Sequence, residues 1–120
     1  MAIIFHITKG DAWARAKADG SYRTEMFPIE GFIHCSTADQ VIQVANVRFR
    51  GQTGLVLLSI DTDKVNPEIV YENLEGGSQL FPHIYGELNI DAVAQVADFG
   101  PGANGHFALP EGAGEGEGVR

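Results

Sequence analysis

One cysteine in 120 residues leaves no partner for an internal disulfide. The chain is therefore no disulfide-stapled framework, and it suits a reducing compartment, with the cytoplasm as the expected location. Cationic residues are scarce as well. Eight Lys and Arg face sixteen Asp and Glu, for a net charge of −8 and a pI of about 4.8. Binding along a phosphate backbone draws on clustered Lys and Arg, and Arg48 with Arg50 is the nearest thing to a patch. Long nucleic acid is not an expected partner, whereas a small anionic ligand is compatible with this balance. No apolar run reaches the roughly 18 residues of a membrane-spanning helix. The opening MAIIFHITKGD lacks the basic and apolar regions of a cleavable signal. The P-loop pattern is missing, as are His-x-x-x-His and Cys-x-x-Cys, and the one Gly-x-Gly-x-x-Gly, Gly100 to Gly105, falls in a Gly-rich segment with no helix expected after it. Rossmann and P-loop nucleotide binding and a standard zinc site therefore lack support.

What is present fits one soluble domain, since 44% hydrophobic and 20% charged residues are ordinary for a globular chain of this length. The apolar run 2–8 reads as a strand. A helix follows over 11–19, with Ala12, Trp13 and Ala16 at helical spacing and Gly20 as its stop. Residues 21–30, containing Pro28, read as a loop. GFIHCS (31–36) is a second strand, ahead of a helix at 38–49 with an apolar stripe of Val41, Val44, Ala45 and the Arg48 stem. LVLLSID (55–61) is apolar on both faces and is expected to be a central buried strand. Further strands are expected at 69–73, 81–88 and 92–99. The order is β-α-β-α followed by strands, an α+β fold of two small, mostly antiparallel sheets with both helices in the N-terminal half. The domain is expected to span 1–99. The Gly- and Glu-rich segment 100–120, with His106, is expected to be a disordered tail without function.

A short pattern recurs. His-x-[Ser/Thr]-x-x-Asp appears as His6, Thr8 and Asp11 and again as His34, Ser36 and Asp39, each copy ending a strand before a helix. Thr8 and Ser36 stand where N-caps would, and free helix N–H groups just beyond them would suit an anion. Strand side chains alternate faces. His6 therefore shares a face with Thr8 and His34 with Ser36, while His83, Tyr85 and Glu87 share one on a third strand. Three polar faces, each with a histidine, would form one cleft if the strands are neighbours. The same alternation sends Cys35 into the core, away from His34, which excludes the hydrogen-bonded Cys–His pair that a thiol nucleophile needs.

IFHIT, GFIHCST with its helix, LVLLSID and FPHIYGELNIDAV together resemble the bacterial family known as Domain of Unknown Function 952, over about residues 2–98. That family is grouped by fold with the ADP-ribosyltransferases. IFHIT is similar to the strand of RNA 2′-phosphotransferases and poly-ADP-ribosyl polymerases in which a histidine and a Thr or Ser help hold NAD. FIHCS resembles a Val-His-Leu-Ser strand of the phosphotransferases. The resemblance implies NAD as ligand, with His6, Thr8, His34, Ser36 and Tyr85 binding it and His83 and Glu87 as the catalytic pair. Tyr85 would stack on the nicotinamide ring. The sequence departs from the pattern where Ile7 replaces a glycine and where only Arg48 or Arg50 could supply a phosphate-binding arginine. Two other readings stand beside this one: a non-catalytic ligand-binding or interaction module, and a metal-dependent enzyme using His6, His34 and His83.

Overall fold

The computed structural model describes residues 2–74 and 76–110. In chain order the elements are β1 (Ile3–Lys9), α1 (Gly10–Asp19), β2 (Ser21–Tyr22), α2 (Phe27–Glu30), β3 (Ile33–His34), α3 (Val41–Arg48), β4 (Leu55–Asp61), β5 (Glu68–Glu72), β6 (Phe81–Tyr85), β7 (Leu88–Asn89) and β8 (Val93–Phe99). Single 3-10 turns occupy Thr62–Lys64 and Ile90–Ala92. The α+β class is as expected, and the described strands pair antiparallel.

Among the described residues the sheets number three rather than two: β1-β4-β8, β3-β6-β5 and a small β2-β7 ribbon. The extra ribbon comes from a break in the segment expected to run as one strand over 81–88. At Gly86 the chain passes so close to Pro67 that a Cβ would lie 2.7 Å from the proline Cβ. The strand stops at Tyr85 and resumes as β7 beside β2. The segment expected to be a loop holds β2 and the short α2. Pro28 sits in the first turn of α2, where its missing N–H leaves no helical bond unmade.

β4 is central, and all seven of its residues are buried because both faces meet apolar layers. On one face Val56, Leu58 and Ile60 pack with Ile4, Trp13, Tyr22, Ile33, Cys35 and Ile84. On the other, Leu55 and Leu57 pack with Phe5, Ile7, Val41, Ala45 and Phe99. β1 divides its side chains by parity, with Phe5 and Ile7 in the second layer and His6 and Thr8 turned the other way. Cys35 lies in the first layer, as alternation required, and burial pushes its thiol well above the ordinary cysteine range.

Two expectations give way. α1 and α3 start from Lys9 and Gln40, neither with a side-chain cap bond, so Thr8 and Ser36 are not N-caps. The Gly10 N–H is bonded to the Gly54 carbonyl, and α3 begins at Val41, five residues after Ser36. The core also extends past the expected boundary at 99. Phe107 is buried in the second layer with its ring centroid 5.0 Å from that of Phe99, and its N–H donates to Asn46 Oδ1. The rest of the expected tail, 111–120, lies outside the described residues. No helix among those described is long and apolar enough to cross a membrane.

One crossover positions the site. The Cys35 N–H bonds to the Pro82 carbonyl of β6, while its neighbour Ser36 exchanges both backbone bonds with Phe5 of β1, at 2.7 and 2.8 Å. The segment after β3 thus leaves one large sheet and joins the other, fastening them at a single bridge.

Candidate functional site

Beside that bridge lies a cavity of about 960 Å³, walled by β1, α1, the 21–26 segment, β3 with the crossover, and parts of α3, β5 and β6. His6, Thr8, His34, Ser36, His83 and Glu87 all line it. Tyr85 does not. The predicted residues of three separate strands therefore meet, apart from the aromatic ring expected to stack on the ligand.

His6 forms the floor. Its Nδ1 is 2.6 Å from the His34 carbonyl oxygen, and its Nε2 is 2.8 Å from the Tyr22 hydroxyl. A carbonyl can only accept, so Nδ1 carries the hydrogen. Burial lowers the His6 pKa to about 4, against which the bond to the His34 carbonyl is the smaller effect. The ring is neutral at pH 7, and Nε2 accepts from Tyr22. The single phenolic hydrogen is then spent, so across the 2.9 Å contact Thr8 donates to Tyr22. The chain Thr8–Tyr22–His6–His34 carbonyl has one polarity, and Thr8 offers the cavity lone pairs rather than a hydrogen. Burial also pushes the Tyr22 phenol up to about 12, so this donor stays protonated through the neutral range.

His83 is held differently. Its Nδ1 lies 2.8 Å from Glu72 Oε2, and its side chain is only 4% exposed. The Tyr85 hydroxyl donates to the same oxygen. Tyr85 first, and His83 second, hold the Glu72 carboxyl below the usual carboxylate range. The Phe32 ring stacks on His83 with centroids 4.3 Å apart, and the His34 ring meets it edge-on at 4.9 Å. His34 in turn faces Glu30 at 3.3 Å from an exposed position. Glu87 accepts from the Ser21 hydroxyl at 2.6 Å and lies 3.7 Å from Arg23.

Over residues 7–96 the chain matches the family described as protein of unknown function (DUF952). It belongs to that family. Among solved structures, this DUF952 member is similar to the crystal structure of CC0527 from Caulobacter crescentus, at 33% identity with a TM-score of 0.79. The match covers 89% of this chain and 94% of that one. A double-methionine variant of CC0527 gives 34% and 0.79. Its solution structure gives 34% and 0.76, covering 88% and 91% of the two chains. No curated protein matches the chain.

The DUF952 cleft does not support the three-histidine metal reading. Both ring nitrogens of His6 are committed, and among the described residues no three His, Cys, Asp or Glu side chains group to hold an ion. Charged side chains of both signs line the cavity. Lys9, Arg15, Arg23 and Arg48 stand beside Asp11, Asp19, Glu25, Glu30, Glu72 and Glu87, whereas Arg50 is not among its lining residues. Ile7, the departure from the glycine of the resembled motif, packs its side chain in the far layer.

Sequence reasoning missed Tyr22, Glu72, Phe32 and Glu30. Tyr22 and Glu30 lay in a segment read as loop. Glu72 lay on a strand with no histidine of its own, and its meeting with His83 depends on the β5–β6 register, which pairs Val70 with His83. One signal was legible: Phe32 and His34 share parity, which places the aromatic ring beside the imidazoles.

Proposed function

We propose that the cleft binds a nucleotide of the NAD class and, given an acceptor, transfers its ADP-ribose with release of nicotinamide. One observation carries this reading: six of the seven side chains implied by the ADP-ribosyltransferase resemblance line one cavity. Its volume lies in the range usual for ligand sites. The lone pairs of Thr8 suit a donating ribose hydroxyl, and Ser36 and the exposed His34 add polar contacts at the crossover. Lys9, Arg15 and Arg48 would contact a pyrophosphate, set against the six carboxylates that line the same cavity. In the transfer, the bond between the anomeric carbon and nicotinamide breaks as an acceptor oxygen attacks. His83 takes the acceptor proton, while the Glu87 carboxylate, 3.7 Å from Arg23, stabilises the cationic sugar.

A second reading, a binding module without chemistry, is favoured by a specific observation. His6 has no free nitrogen for a ligand, and Glu87 is already paired by Ser21 and Arg23. Titrating NAD and ADP-ribose into ¹⁵N-labelled protein tests binding, and nicotinamide release over a long incubation separates the two readings. Absence of shifts at Thr8, His34, Ser36 and His83 at millimolar ligand would reject both.

A further inference from the structure

The resemblance implied that Tyr85 touches the ligand and gave Glu72 no part. The geometry gives both residues another task. Three protein groups hold the His83 ring. Glu72 holds Nδ1, Phe32 covers a face, and His34 meets the ring edge-on. His83 nevertheless lines the cavity, and Nε2 is its one polar atom without a protein partner among the described residues. Glu72 is fixed in turn by the Tyr85 hydroxyl, which binds the oxygen that faces His83.

We infer that Glu72, anchored by Tyr85, is a positioning residue that locks His83 in its Nδ1–H tautomer and so makes Nε2 the proton acceptor of the cleft. The physical reason is the inventory of donors and acceptors. A carboxylate only accepts, so a neutral His83 facing Glu72 must carry its hydrogen on Nδ1, leaving the Nε2 lone pair toward the cavity. Without Glu72 nothing among the described residues selects between the tautomers. A ring protonated on Nε2 presents a donor where a base is needed. Tyr85 acts one step further back, since a carboxylate free to rotate would present its oxygen to Nδ1 only part of the time. Resting on the transfer reading above, the consequence is specific. The acceptor is a hydroxyl or water whose proton passes to Nε2 as its oxygen bonds the anomeric carbon, and nicotinamide leaves with the electron pair.

Long-range ¹H–¹⁵N spectra of the histidines, taken where the rings are neutral and with no nucleotide present, test the tautomer directly. His83 should show a hydrogen on Nδ1 and a bare Nε2. Glu72→Ala should move it toward the Nε2–H form, whereas Glu72→Gln, whose amide oxygen still accepts, should keep the wild-type tautomer. Acylation of His83 by diethylpyrocarbonate, read by peptide mass mapping, should slow several-fold in Glu72→Ala, slow less in Tyr85→Phe, and recover in Glu72→Gln. A merely structural carboxylate would change thermal stability without this ordering. An Nε2–H tautomer in the wild-type protein would overturn the inference even if every variant failed to fold. Failure of NAD to bind would instead remove the nucleotide reading and leave the tautomer measurement unchanged.

Discussion

Acidification should destabilise this protein well before its carboxylates are fully protonated, and His6 is the reason. Its pKa falls from 6.5 to about 4 because burial in the cleft floor penalises the imidazolium, with the nearby His34 adding a smaller push in the same direction. The sign follows from proton counting. Above pH 6.5 both folded and unfolded chains hold a neutral ring. Between 6.5 and 4 the unfolded chain binds a proton that the folded one refuses, so stability falls as pH falls. The two pKa values correspond to a loss of about 2 kcal/mol by pH 5 and about 3 kcal/mol by pH 4, levelling off below that as the folded ring also takes its proton. Urea unfolding at pH 7 and pH 5 should therefore show the midpoint falling by roughly 1–2 M from this residue. His6→Gln should lose less on acidification than the wild type, whatever its stability at neutral pH. Should the variant not fold, the ring proton of His6 in the native wild type still gives the answer. A titration midpoint near 6.5 in the folded state would refute the reasoning, because the desolvation argument requires the folded ring to resist protonation.

Three further outcomes follow from named contacts. Tyr22→Phe removes the donor to His6 and the acceptor for Thr8 together, leaving a buried imidazole nitrogen unpaired at a cost of about 1–3 kcal/mol, measurable by calorimetry. A variant as stable as wild type would mean that His6 Nε2 finds another partner. Phe107→Ala should cost about 3–5 kcal/mol because the ring is buried against Phe99; an unchanged melting temperature would show that the segment after 99 does not contribute to the core. Gly86→Ala should cost about 1–3 kcal/mol from overpacking against Pro67. Pro67→Gly should restore most of the loss, and purely additive effects in that double-mutant cycle would rule out the contact.

What could be read in advance divides along a physical line. Strand parity is a local property, so it placed Cys35 in the core and turned His6 with Thr8 away from Phe5 and Ile7. The apolar run 55–61 announced a central strand because an element buried on both faces has no polar side to show. Capping failed for a related reason. A Ser or Thr at the right spacing caps a helix only if the backbone turns there, and Gly54 and Gln40 already supply the neighbouring amides with other partners. Glu87 was carried along by a period-two pattern that ends where Gly86 meets Pro67, a contact between residues distant in sequence. Glu72 was invisible for the same kind of reason, since its role exists only through the pairing of β5 with β6.

Cys35 acquires a practical meaning from where the chain crosses between sheets. Its thiol is sealed in the interior, yet its own amide is tied to one sheet and the next residue to the other. Cys35 also lines the cleft, so a thiol reagent reaches it from there or when those ties part, and that parting would also disturb the His34 carbonyl on which His6 rests. The sulfur idle in the chemistry is thus a gauge of breathing at the seam. Its labelling rate reads opening of the seam together with access through the cleft, and a ligand seated in the cleft would slow it.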